Sequence, residues 1–210
     1  MQDVQIAHPR QGATEATIKL EVPVGELVLA DTSSSDMAVE GTVRLPEGVE
    51  LEQDCRVRGE TLLCSLGARH KRKLNVGFRD SPRWRLRLAR ELPLDLRLET
   101  GAGEAELDLS ALSVTNLDVE AGVGKTSVTL PRHGDIRGRI KAGVGEMTVR
   151  VPHGLAARIR ISTGIGSIQV GSRFRRTTNA YETADYHEAT DKIDLRIEAG
   201  VGKVAVESLG

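Results

Sequence analysis

The most constraining feature of this chain is a Gly-x-Gly pattern that occurs five times in its second half. The first four copies lie 21 residues apart, and the fifth follows 36 residues after the fourth, which is one period plus an insertion of 15 residues. A period of roughly 20 to 50 residues indicates an array in which each unit buries its apolar face against its neighbours. The repeated glycines are Gly101, Gly103, Gly122, Gly124, Gly143, Gly145, Gly164, Gly166, Gly200 and Gly202.

Apolar residues recur at every second position on both sides of each pattern, as in Ile140 before one pair of glycines and Met147 and Val149 after it. A period of two predicts β-strands with one face directed inward. The parity changes at the second glycine, so we expect a corner there, which glycine permits because it has no Cβ atom. The residue between the glycines is assigned to the same inward face: Ala102, Val123, Val144, Ile165 and Val201.

These patterns predict an all-β fold, a β-solenoid-like stack of repeats of about 21 residues preceded by an N-terminal β region. Residues 16–29 resemble a diverged repeat in which Pro23 replaces the first glycine, so residues 16–210 are expected to form one continuous domain. The predicted segments are a flexible lead-in at 1–15, the N-terminal β region with a hairpin at 16–93, and the repeat domain at 94–210 with an insertion at 171–187.

Charged residues support stacking in register. Equivalent residues of adjacent coils would lie about 4.8 Å apart, where like charges repel. The residue after the second glycine is opposite in sign or neutral from one repeat to the next, in the order Glu104, Lys125, Glu146, Ser167 and Lys203.

Composition narrows the classes of function. The chain contains 22 glycines but only 1 Trp, 2 Tyr and 2 Phe, and its net charge is −1. Nucleic acid is disfavoured because aromatic residues for base stacking are nearly absent. No apolar run approaches the roughly 20 residues that span a bilayer, and the N-terminus lacks a signal-peptide core. We expect a soluble protein, cytoplasmic or peripheral at a membrane rather than secreted.

The two cysteines are expected to face each other in a hairpin. If Gly59 and Glu60 form a two-residue turn, Cys55 lies opposite Cys64 in a non-hydrogen-bonded pair, with Cα atoms about 4.5 Å apart. This separation permits a disulfide, whereas two reduced, buried thiols are favoured in an intracellular protein. A metal site is not expected there, because no histidine lies near either cysteine at ligand spacing.

No catalytic residue, cofactor site or metal site is predicted. The Gly-x-Gly-Lys segments ending at Lys125 and Lys203 lack the longer glycine-rich span and following helix of a phosphate-binding loop. His133 and His153 occupy equivalent turns, where two stacked histidines could share a metal, but solvated turns are the favoured interpretation.

A basic segment offers one candidate binding surface. Residues 69–90 contain nine Lys or Arg residues and one acid, Asp80. Arg83, Arg85 and Arg87 alternate with apolar residues, so they are predicted to form one exposed strand face. Either the face is merely solvated, or it binds an anionic membrane surface or an acidic protein. The insertion adds a second basic cluster, formed by Arg173, Arg175 and Arg176.

The repeat motif resembles that of the bacterial toast-rack family, which includes a "putative-adhesin" domain and the C-terminal domain of cell-wall-active antibiotic response proteins. The resemblance rests on segments such as LEVPVGELVLAD and IEAGVGKVAVE and covers about residues 16–29 and 84–208. It implies a β-solenoid-like stack without known enzyme activity and an association with envelope-stress signalling. Family members are commonly joined to transmembrane segments.

Together these features favour a non-catalytic interaction or scaffold module that binds a protein partner, such as a membrane-associated component of the envelope-stress response. The alternative is a carbohydrate-binding or carbohydrate-active β-helix protein, which three or more carboxylates converging in a cleft would favour. A homodimer through the C-terminal coil is a further expectation, because an uncovered final coil would expose Val201, Val204 and Val206.

Overall fold

The computed structural model describes residues 1–70 and 81–210, and in these residues the chain forms β-strands without helices. No helix there has the length and hydropathy to cross a membrane. The strands are β1 (Gln2–Pro9), β2 (Glu15–Thr32), β3 (Met37–Leu45), β4 (Val49–Arg58), β5 (Thr61–His70), β6 (Arg83–Ala89), β7 (Leu94–Asp108), β8 (Val114–Thr129), β9 (Asp135–Pro152), β10 (Ala156–Val170), β11 (Arg175–Arg176), β12 (Tyr181–Glu182) and β13 (Lys192–Leu209).

Each repeat is one long strand that bends at its Gly-x-Gly. Strands β7, β8, β9, β10 and β13 are 15 to 18 residues long and pass through the glycines without interruption. At the second glycine φ is positive, +142° in Gly103 and +140° in Gly124, and a Cβ atom on Gly124 would overlap the carbonyl oxygen of Gly103. Only glycine fits this corner. We call the part of a coil before the glycines its first arm and the part after them its second arm.

The coils stack in parallel with equivalent residues side by side. Val119 lies between Leu98 and Ile140, and Ile197 lies between Ile140 and Ile161. These columns, with those of the second arms, are buried in one core, although Ile161 at the end of the stack is only half-buried. The prediction of an all-β stack of 21-residue repeats is confirmed, and the sheet stays open rather than closing into a barrel.

The order of the coils differs from the order of the repeats. Strand β13 lies between β9 and β10, so the last repeat is an interior coil. Val204 and Val206 are consequently buried, and the predicted uncovered end formed by the last repeat is wrong. The argument for a homodimer through that end therefore fails. The outermost long coil is β10, which the short strand β12 joins at Arg158 and Ile159.

The charges after the corner fit this order better than the order of the repeats. Because β13 precedes β10 in the stack, Lys203 is placed between Glu146 and Ser167. The column then alternates in sign over four coils, which favours adjacent strands that lie about 4.8 Å apart. Its members in spatial order are Glu104, Lys125, Glu146, Lys203 and Ser167.

One predicted column is not part of the core. The residue between the glycines points outward, because the chain turns around it at the corner. Its side chain is 58% exposed in Val123, 49% in Val144, 72% in Ile165 and 46% in Val201. The assignment of these residues to the inward face is wrong.

The N-terminal region adds strands to both arms of β2. Its first arm pairs in parallel with β5, while its second arm pairs with β6, which continues through β3 to β1. The predicted flexible lead-in is wrong for residues 2–9, because these residues form β1 and pair with β3 along their length. The inward side chains of β1, such as Ile6, join the core and hold the strand in place.

The insertion after β10 folds against the end of the stack. Arg173 donates hydrogen bonds to four backbone carbonyls between Val151 and Leu155, three of them at 2.8 Å. Burial lowers the pKa of this guanidinium. Arg173 thus stabilises a turn and does not belong to a free basic cluster with Arg175 and Arg176, which are exposed.

Candidate functional site

A groove with a volume of about 780 Å³ lies on the outer face of the first arms. Alternation places polar side chains outward on these strands while the leucine and isoleucine columns face the core. The groove spans β7, β8, β9, β13 and β10 and is lined chiefly by arginine and aspartate side chains.

Three arginines on adjacent strands cross this groove. Arg196 pairs in register with Arg139 on one side and with Arg160 on the other. We call these three residues the arginine row. Strand spacing places neighbouring members about 4.8 Å apart at the backbone, so three positive charges occupy a span of roughly 10 Å.

The outer members of the arginine row have carboxylate partners, and the central member has none. Arg160 binds Asp194 with two hydrogen bonds of 2.6 and 3.2 Å, and Arg139 contacts Glu198 at 3.5 Å. Arg196 is exposed and makes no ion pair or hydrogen bond within residues 1–70 and 81–210. A free guanidinium with five donors therefore lies at the middle of the groove.

The arginine row differs from the other row of three like charges, Glu21, Glu99 and Glu120, because each of those glutamates contacts a lysine. Like charges directly opposite on adjacent strands destabilise a sheet. From β7 to β13 the column after the corner avoids this by alternating in sign, although Glu26 on β2 pairs with Glu104. The row two residues further from the corner than the arginine row is mixed, and in spatial order it reads Asp95, Asn116, Arg137, Asp194 and Arg158. An unpaired arginine between two others is unfavourable for folding alone, so the arrangement favours a binding role.

The groove is acidic at its other end. Asp95 binds Arg97 at 3.1 Å through both oxygens, and Asp118 lies between Arg97 and Arg139 in the register. The Oδ1 atom of Asp118 is buried without a hydrogen-bond partner among the described residues. A complementary ligand would carry negative charge where it meets the arginine row and would offer hydrogen-bond donors where it meets Asp118.

Three aspartates line the groove, but they do not converge. Asp95 and Asp194 lie three strands apart, a distance of about 14 Å, and each is bound by an arginine. Asp118 lies on a different row from both. The convergence of carboxylates that would favour a carbohydrate-active enzyme is therefore not observed at this groove.

The insertion contacts β10, the outermost long coil of the stack. Arg158 donates a 2.7 Å hydrogen bond to Glu182 and stacks over the ring of Tyr186, 4.4 Å from its centre. The hydrogen bond from Arg158 holds the pKa of Glu182 below its usual value. Arg158 is thus engaged by the insertion and is not available to a ligand.

The predicted face of Arg83, Arg85 and Arg87 is exposed, while Trp84, Leu86 and Leu88 between them are buried. It lines a smaller groove of about 430 Å³ on the second-arm side, together with Arg44. Arg83 lies 3.3 Å from Glu26, and Arg44 is bound to Asp3 at 2.7 Å. The neighbouring basic residues and acid at 71–80 lie outside the described residues.

The cysteines occupy the predicted positions in the hairpin. Cys55 pairs with Cys64, Arg58 with Thr61, and the Cα atoms of the cysteines are 4.0 Å apart. The two residues form a disulfide, so the favoured alternative of reduced thiols does not match this structure. His8, on β1, lies beside them, although it is 47 residues from Cys55 in the sequence.

The other lysines and histidines considered as site residues have positions that their local structure explains. Lys125 and Lys203 lie within strands β8 and β13, so their glycines are corners and not phosphate-binding loops. His133 contacts Asp191 at 3.2 Å, whereas His153 contacts Ser208 at 3.3 Å, so the two histidines have different partners.

Our sequence reasoning missed the arginine row, although a signal was present. Four residues before the first glycine, the five repeats carry Arg97, Asp118, Arg139, Arg160 and Arg196. Comparing every polar column for like charges, and not only the one after the second glycine, would have identified it.

Comparison with family models identifies the family to which the chain belongs. The model described as the N-terminal domain of toast_rack, DUF2154, matches residues 1–150, more than half of the chain. The chain belongs to the toast-rack family. A second model, "Cell wall-active antibiotics response LiaF, C-terminal", matches residues 139–206. This second match covers the strands that carry the arginine row.

A solved structure shows the same fold. A "putative cell adhesion protein" from Clostridium sporogenes ATCC 15579 is 22% identical, with a TM-score of 0.90 over 99% of both chains. A "putative adhesin" from Bacteroides fragilis NCTC 9343 is 10% identical over 98% of this chain and 97% of its own, with a TM-score of 0.37. A search of curated proteins gives no match.

Proposed function

We propose that this toast-rack protein is a non-catalytic interaction module of the bacterial envelope-stress response that binds an acidic segment of a protein partner in its first-arm groove. The observation that carries the proposal is the arginine row, Arg139–Arg196–Arg160. The match to the LiaF C-terminal model over residues 139–206 supports the link to cell-wall stress, because it includes all three arginines.

The charge pattern favours a protein over a membrane or an anionic polymer. Asp118, which makes no ion pair among the described residues, would repel a uniformly anionic surface at one end of the groove. A protein segment can instead place acids on the arginine row and hydrogen-bond donors against Asp118. Arginine suits carboxylate recognition because its planar fork can donate two parallel hydrogen bonds.

A labelled hexaglutamate peptide is a suitable probe, with binding followed by fluorescence polarisation. We expect saturable binding that weakens as salt rises, because exposed charges are screened over about 10 Å at 0.1 M salt. Reversing the arginine row (R139E/R160E/R196E) should weaken binding by about 100-fold or more, since each charge near an anionic ligand contributes about 1 kcal/mol.

A matched control separates position from net charge. The variant R58E/R132E/R176E changes the net charge by the same amount at three exposed arginines outside the groove and should reduce binding by less than about threefold. Equal losses in the two variants would contradict a site at the arginine row. Flotation with phosphatidylglycerol vesicles in the absence of hexaglutamate binding would contradict a protein partner.

A further inference from the structure

A cluster of three metal-binding side chains lies in the N-terminal region, away from the arginine row. His8, Cys55 and Cys64 come from β1, β4 and β5, and one potential ligand atom of each lies within 4.8 Å of the other two. Strand β1 pairs with β3, in the part of the sheet that extends from the second arm of β2. The hairpin of β4 and β5 pairs instead with the first arm of β2. The fold therefore brings the histidine against the cysteine pair across the core.

These side chains form a donor set with defined preferences. Imidazole and two thiolates suit zinc, and three protein ligands leave a fourth tetrahedral position open. Cys64 is buried, while Cys55 and His8 are half-buried, so an ion could enter from the side of β1 and β4.

A neighbouring amide orients the imidazole. The Oε1 atom of Gln53 lies 3.1 Å from Nε2 of His8. An amide oxygen only accepts, so Nε2 carries the proton in this contact and Nδ1 keeps its lone pair. A metal-binding histidine is usually held in one tautomer by a hydrogen bond to its other ring nitrogen, so Nδ1 is the candidate ligand atom here.

We propose that the reduced Cys55–Cys64 pair binds one Zn²⁺ ion together with His8, so that the hairpin exchanges a disulfide for a metal site. A dithiol reductant breaks the S–S bond, and its two electrons and two protons convert both cysteines to thiols as it becomes a disulfide. Zn²⁺ then replaces the two thiol protons, which are released to solvent. The disulfide form offers no thiolate and does not bind the ion.

The test uses the whole chain. Dithiothreitol reduces the protein, anaerobic desalting removes the reductant, and Co²⁺ is added as a spectroscopic substitute for Zn²⁺. We expect thiolate-to-cobalt charge-transfer absorption that saturates at one ion per chain and is displaced by Zn²⁺. The oxidised protein should show none of this absorption.

The histidine distinguishes a three-ligand site from a pair of accessible thiols. H8Q should weaken Co²⁺ binding by about tenfold or more, whereas H153Q, which changes a histidine outside the cluster, should leave it unchanged. In a second readout, Zn²⁺ should protect both thiols of the reduced wild-type protein from alkylation. Unprotected thiols, no absorption in the reduced protein, or equal affinities of wild type and H8Q would each overturn the proposal.

Discussion

The two arginine surfaces of this protein show different relations between sequence and structure. Arg83, Arg85 and Arg87 alternate along one strand, so their common face follows from a period of two. Arg139, Arg196 and Arg160 lie on three strands and become neighbours only through the stacking of coils. The three arginines of the first surface are about 6.6 Å apart along their strand, and Arg83 also pairs in register with Arg44. The second surface places all three of its charges at the strand spacing.

This difference assigns the two surfaces different roles. Along β6, Arg83 lies beside Glu26, and the charges can be explained as a solvated face. Across the coils, the central Arg196 has no partner among the described residues and like charges on both sides. Asp194 and Glu198 partner the two outer arginines, and an unpaired charge left between them is typical of a site selected for binding.

The largest expected effect comes from breaking the stack that creates the arginine row. In G202A the new Cβ atom would overlap the carbonyl oxygen of Gly145 at a corner where φ is +140°. We expect the free energy of unfolding to fall by more than about 3 kcal/mol, measured by urea denaturation. G154A is the matched control, because its nearest contact would be 3.8 Å away and its effect should be small.

The second prediction compares how strongly charge reversal on each of the two arginine surfaces weakens hexaglutamate binding. R83E/R85E/R87E should weaken hexaglutamate binding by less than about tenfold, since these charges act on the groove only at a distance. R139E/R160E/R196E carries the same change in net charge and should have the larger effect. A greater loss in the Arg83 variant would reverse the assignment of roles.

The third prediction concerns the folding stability that is lost to charge repulsion within the arginine row. R196Q removes the central charge, so the free energy of unfolding should rise by roughly 0.5 kcal/mol as repulsion is relieved, while hexaglutamate affinity falls about fivefold. R85Q, on the other surface, should change neither quantity by a comparable amount. If R196Q destabilises the fold, the row is a structural feature and not a binding site.

The smallest effect is expected outside both surfaces. Asp191 accepts a 2.7 Å hydrogen bond from the Gly134 amide and contacts His133, and these interactions lower its pKa below 3.8. The stability that ionised Asp191 contributes is present above pH 3.8 and is lost as pH falls through the lower folded pKa. D191N should therefore be slightly less stable at pH 7 and lose less stability in acid, with unchanged binding. A pH titration of thermal unfolding tests this.

The sequence predicted the features that depend on local periodicity. The corner at Gly124, the inward column at Val119 and the register of Cys55 with Cys64 all follow from spacing along the chain. The position of β13 did not, because the insertion gives the chain enough length to return to either side of β10. The outward direction of Val144 was missed for another reason: both strands have a period of two, but the residue at the corner belongs to neither.

Side-chain NMR of the arginine Nε–Hε groups during a hexaglutamate titration tests the central claim most directly. Arg196 should show the largest chemical-shift change, followed by Arg139 and Arg160, while Arg83, Arg85 and Arg87 change little. Shifts concentrated on Arg83, Arg85 and Arg87, or uniform small shifts at all exposed arginines, would contradict the assignment of the binding site to the arginine row.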